Sequence, residues 1–152
     1  ALPTLMRFLS EGTNSDDSLL REAMVVFGTS IIPSVAEVLE EGSDVARIAA
    51  AEVLYDLDSR SAVDALVARL VREPDPRVRF LIICGVAAEN QPRLEPLERT
   101  LIDPEASNRE LAWDTLDRIL RLPPSLAFDA EGADEVRRLQ VERYQTWRAS
   151  RN

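Results

Sequence analysis

Apolar residues return every three or four positions along nearly the whole chain, with breaks only a few residues long and no strand-like alternation. This spacing predicts helices throughout. Leu5, Phe8 and Leu9 mark a short first helix closed at Gly12, and Leu19, Leu20, Ala23, Met24 and Phe27 a second closed at Gly28. Pro33 opens a third, with Val35, Val38 and Leu39 inward and Gly42 at its end. Val45, Ile48, Ala49, Val53 and Leu57 give a fourth, and Val63, Leu66, Val67 and Leu70 a fifth. Asp75 caps a sixth that has Pro76 in its first turn and runs through Val78 to Ala88. Pro92 opens a seventh with Leu94, Leu97 and Leu101, and Ser107 with Glu110 forms a capping-box pattern ahead of Leu111, Leu116 and Ile119. Pro123-Pro124 stops that eighth helix. After an irregular stretch to about Gly132, a last helix carries Ala133, Val136, Leu139, Tyr144 and Trp147 in one stripe.

The helices fall into pairs, and the first of each pair repeats an arginine: Leu20-Arg21, Ala46-Arg47, Val78-Arg79 and Asn108-Arg109, at spacings of 26, 32 and 30 residues. One helical hairpin cannot bury its own apolar face, so such a period implies stacked hairpins that complete one another's core. The segments DVARIAAAEVLYDLDSRSAVDAL (residues 44–66) and DPRVRFLIICGVAAENQPRLEPL (residues 75–97) share an Asp, a small apolar residue with Arg, an Ala-rich helix, a short turn and a Leu-bearing second helix. On these residues the chain resembles the HEAT-like repeats, in particular the short bacterial type also found in phycobilisome-lyase-like proteins. The resemblance implies an all-α fold, an α-solenoid of about four hairpins in which Asp44 with Arg47 and Asp75 with Arg79 tie successive units. It implies a binding scaffold and no catalytic residue, although relatives include lyases, DNA glycosylases and chaperone-like adaptors. One domain, 1–152, is expected, with a repeat body over 1–122 and a linker and C-terminal capping helix over 123–152, whose Val136, Leu139 and Trp147 are expected to close the last hairpin; the alternative is a docking helix for a second protein.

All 18 basic residues are Arg; the chain has no His and no Lys. That removes the usual general base near neutral pH, the commonest metal ligand, the partner of a Ser or Cys nucleophile and the Schiff-base lysine. Any chemistry has Asp, Glu, Tyr, Arg and one thiol to work with. The lone Cys84 makes no intrachain disulfide and sits in the apolar run FLIICGVAA, where a core position is expected. No apolar run approaches the roughly 20 residues of a membrane span, and Ala1 opens no basic-then-apolar signal segment, so a cytoplasmic protein is expected.

The net charge of −9 is unevenly spread. Residues 1–132 hold 24 carboxylates against 13 Arg, whereas residues 133–152 hold five Arg against three carboxylates. Clustered basic charge is what binds phosphate backbones, so nucleic acid is a poor partner. In a solenoid the second helices line the concave face, and their non-core residues Glu37, Glu41, Asp64, Arg72, Glu95, Glu98 and Arg99 are the expected contacts for a protein or peptide, a basic one by charge. The bland alternative is a solvated face, with Glu95 and Arg99 only an i, i+4 pair. Glu110, Asp114 and Asp117 share a helix face beside Trp113, but Arg118 and Arg121 stand four residues after the two Asp, the spacing of ion pairs. Asp56 and Asp58 read as a turn. The expectation is therefore a non-catalytic scaffold with no cofactor and no metal. The alternatives are an immunity-type antagonist of a basic toxin, a lyase or DNA-glycosylase-like enzyme using Asp114, Asp117 and Trp113, or a piece of a longer solenoid.

Overall fold

The structure is a computed structural model and describes residues 2–11 and 17–152. Among these the regular structure is entirely helical: α1 (Leu2–Glu11), α2 (Asp17–Val25), a 3-10 turn (Gly28–Ile31), α3 (Ile32–Glu41), α4 (Asp44–Asp56), α5 (Arg60–Leu70), α6 (Pro76–Ala88), α7 (Leu94–Thr100), α8 (Ala106–Leu120) and α9 (Asp134–Ala149). Gly12 lies outside the described residues. The second helix stops at Val25, short of Gly28, whose φ of 64° lets the chain turn into the 3-10 segment.

Side chains start several of the helices. Ser43 accepts from the Ala46 N–H at 3.3 Å, Ser59 from Ala62 at 3.2 Å, and Asp75 from Arg77 at 2.9 Å, each satisfying an orphan donor of the first turn. The expected capping box at Ser107 does not form. Instead α8 begins two residues earlier, with Glu105 at its N-cap; the Asp103 carboxylate accepts from the Glu105 N–H at 2.9 Å and Ser107 becomes an exposed helical residue. Arg121 ends α8 in the left-handed region at φ 52°, immediately before Leu122-Pro123-Pro124.

The chain divides into two compact units, 1–91 and 92–152, rather than at residue 122. In the first, α4 packs on α1, α2, α3, α5 and α6, and α3 packs on α5. A helix with so many neighbours must be narrow. Accordingly Ala46, Ala49, Ala50, Ala51, Val53 and Leu54 are all buried in α4, beyond the single stripe that the periodicity suggests. In the second unit α7 packs on α8, and α9 is joined to both through Tyr144. No single helix among the described residues is long and apolar enough to cross a membrane.

Candidate protein-docking faces

The repeated arginines act on the backbone. Arg47 donates from Nη1 to the Gly42 carbonyl at 2.9 Å; Arg79 donates to the carbonyls of Glu73 at 3.1 Å and Pro74 at 2.9 Å; Arg109 donates to those of Asp103 and Pro104, the latter at 2.7 Å. Each guanidinium thus reaches back five or six residues to the turn that precedes its helix. Arg21 pairs with Asp56 at 3.2 Å and Glu52 at 3.6 Å, which joins α2 to α4.

Arg137 of α9 repeats the arrangement at Arg47: Nη1 donates to the Gly132 carbonyl and Nη2 to Asp134, as Arg47 does to Gly42 and to Asp44. The signal lies in the sequence, where Glu41-Gly42-Ser43-Asp44-Val45-Ala46-Arg47 matches Glu131-Gly132-Ala133-Asp134-Glu135-Val136-Arg137 at every position but the third, fifth and sixth. So α9 is built as the first helix of a further unit. Against its neighbours α9 turns Val141 and Tyr144 inward and leaves Val136 and Leu139, expected to close the last hairpin, 46% and 48% exposed.

In the first unit Arg72 does not stand free as a contact residue. Its guanidinium grips the Glu40 carboxylate at 2.7 and 2.8 Å, and Glu40 also accepts from Arg69 at 3.1 Å. Arg69 and Arg47 converge on Glu73, at 2.9 and 3.1 Å, and the Glu73 carboxylate accepts from the Asp75 N–H as well. The Asp75 carboxylate meets Arg77 at 2.8 Å. This chain of charges links α3, α4, α5 and the turn before α6. Burial pushes the Glu40 carboxyl up, but bonds from Arg72 and Arg69 outweigh it and hold the group below its usual value. The Arg77 guanidinium does the same for Asp75.

Glu37 and Glu41, one turn apart on α3, are exposed and rim a hollow of about 540 Å³ against α1, with Met6, Ser34 and Val38 in its lining. Neither carboxylate has an Arg partner among the described residues. Asp64 is exposed on α5.

In the second unit Glu95 and Arg99 form the i, i+4 pair at 2.6 Å. Glu98 faces α9 instead of solvent: it accepts from the Tyr144 hydroxyl at 2.8 Å and lies 3.5 Å from Arg148. Burial and the Glu98 carboxylate push the Tyr144 hydroxyl far up, so it stays a donor. Trp113 stacks on Phe128 at 5.1 Å and meets Tyr144 edge-on at 5.9 Å, which makes it a packing residue. Asp117 accepts from the Leu122 N–H at 3.1 Å and terminates α8, while Asp114 is exposed.

Cys84 is half-buried rather than in the core, and burial pushes its thiol up, away from the reactive thiolate. Among the described residues no group of three or more His, Cys, Asp or Glu could hold a metal ion.

No family model and no curated protein matches the chain. A solved structure does: the complex of CpcE and CpcF of phycocyanin lyase from Nostoc sp. PCC7120, with a TM-score of 0.68 and 22% identity over 93% of this chain and 98% of that one. The all-helical repeat fold is therefore shared with a chain of a two-protein complex. The expectation of a chain without catalysis is corrected by this likeness. The fold is one from which a lyase complex is built, so helical-repeat architecture gives no ground for excluding an enzyme.

Proposed function

We propose that the chain is a helical-repeat subunit of a lyase-type enzyme, working with a protein partner on a pigment-bearing protein of the phycocyanin kind. One observation carries this reading: the likeness to a chain of the phycocyanin lyase complex spans nearly all of both chains. With neither His nor Lys, the subunit brings carboxylates, Arg and Tyr to such a reaction. Its part is to seat and orient protein surfaces, with Glu37, Glu41 and Asp64 of the first unit and Glu95 and Arg99 of the second as the contacts. Arg72 and Glu98 act behind them, holding neighbouring helices through Glu40 and Tyr144. An excess of carboxylates steers a basic surface toward such contacts.

The test is in two steps. The tagged chain is used to capture its partner at low and high salt, and the captured pair is then mixed with phycocyanin while the pigment's visible absorbance is followed. The expected result is salt-sensitive capture of a second chain and a change in pigment absorbance that neither chain produces alone. A pair that neither binds phycocyanin nor alters its absorbance would end this reading.

A further inference from the structure

The shared arginine arrangement aligns α9 with α4 residue by residue at a constant offset of ninety positions: Ala46, Ala49 and Val53 correspond to Val136, Leu139 and Arg143. In α4 these three positions are 0%, 7% and 0% exposed, covered by its neighbours in the repeat. In α9 the same face is open, with Val136 and Leu139 about half-exposed and Arg143 exposed and without a carboxylate partner among the described residues. A helix face built to be covered carries two apolar side chains and one unpaired cation within two turns.

The complementary surface is on the same chain. The hollow between α1 and α3 has Met6 and Val38 in its lining and, on its rim, two anions without a cationic partner among the described residues, Glu37 and Glu41. We propose that the outer face of α9 seats in the Glu37–Glu41 hollow of a second copy of this chain, with Leu139 and Val136 over Met6 and Val38 and Arg143 between the two carboxylates. The contact joins unlike surfaces, so it is head-to-tail and leaves one hollow and one α9 free for further copies. The inference takes from the proposed function only that this hollow seats protein; it does not depend on lyase activity.

Sedimentation velocity over a concentration series tests it on the full chain. The wild type is expected to self-associate, more weakly at high salt. Arg143→Glu and the double variant Glu37→Arg/Glu41→Arg are each expected to weaken association at least tenfold with unchanged helicity. Mixed together they restore it, because each reversed face then meets its opposite. A wild type that stays monomeric throughout, or variants that do not reassemble on mixing, overturns the proposal. Capture of a different chain that depends on Leu139, with no self-association, also overturns it and gives the α9 face to that chain. Failure of the proposed function reads differently: self-association would persist while phycocyanin remained unaffected.

Discussion

Arg47 donates from Nε to the carboxylate of Glu73, 26 residues further along the chain, at 3.1 Å, and that carboxylate is fully buried. Burial resists the charge on Arg47, but the bonds to Glu73 and Asp44 outweigh it and raise the Arg47 pKa above its ordinary value. The pair joins α4 to the turn before α6, and Arg69 reaches the same carboxylate from α5.

Removing Glu73 takes the shared carboxylate from two largely buried guanidiniums, leaving Arg47 only Asp44 and the Gly42 carbonyl and Arg69 only Glu40. Glu73→Gln is expected to cost about 3–5 kcal/mol, lowering the melting temperature by on the order of 10 °C. Arg72→Ala, at a side chain 59% exposed, is expected to cost under about 1 kcal/mol. Urea unfolding followed by circular dichroism checks both, and a Glu73→Gln variant no weaker than Arg72→Ala would show that the cluster does not hold the first unit together.

Acid should act through carboxylates alone. Asp75 and Glu40 have folded-state values below the unfolded ones, so they contribute stability that is fully present above the unfolded value of about 4 and is lost as pH falls through the lower folded value. With no His in the chain, stability is expected to be flat from about pH 5.5 to 7.5 and to decline only below about pH 4. Asp75→Asn should shrink the acid-side loss. A melting temperature already falling between pH 7 and pH 6 would contradict this assignment.

Gly42 is required by crowding. A Cβ there would meet the Val38 carbonyl oxygen at 2.5 Å, a backbone atom that cannot rotate away, whereas at Gly28 the space is open and only the φ of 64° is at stake. Gly42→Ala is expected to cost about 1–3 kcal/mol. Gly28→Ala should cost the lesser amount, about 1 kcal/mol for a left-handed residue. Parallel denaturant curves decide the order, and the reverse order would place the strain at the 3-10 turn instead.

Helices, the Asp75 cap and the hairpin period were all legible in the chain, because each depends on local spacing that a few residues declare. The inward face of α9 was not. Val136 and Leu139 share the expected stripe with Tyr144, and periodicity alone does not say which of these apolar residues is covered; tertiary packing decides it, where Tyr144 meets Glu98 and Trp113. The contact residues divide in the same way. Glu37 and Glu41 are exposed as a helical wheel suggests, but Arg72 and Glu98 are taken up by Glu40 and Tyr144, and Tyr144 lies 46 residues away. No spacing rule reports a partner that only tertiary packing brings close.

Surface charge should be separable from stability. Reversing Glu37, Glu41 and Glu95 to Arg is expected to leave helicity unchanged. Melting should shift little, since only Glu95 holds an ion pair, and an exposed one worth about 0.3–0.5 kcal/mol. Partner capture should weaken sharply. Unaltered capture would place the docking face elsewhere.

The recurring guanidinium grips carbonyl oxygens, which every amino acid carries. At Gly42, at Glu73 and Pro74, and at Asp103 and Pro104 it therefore measures the length and path of a turn through its main-chain oxygens, while the needs of Gly42 for space and of Glu73 for its own partners are set separately. Units joined by such a fastening can be lengthened, exchanged or appended as long as the turn brings its oxygens to the same place, and the surface between fastenings is left free to be rewritten for a new client.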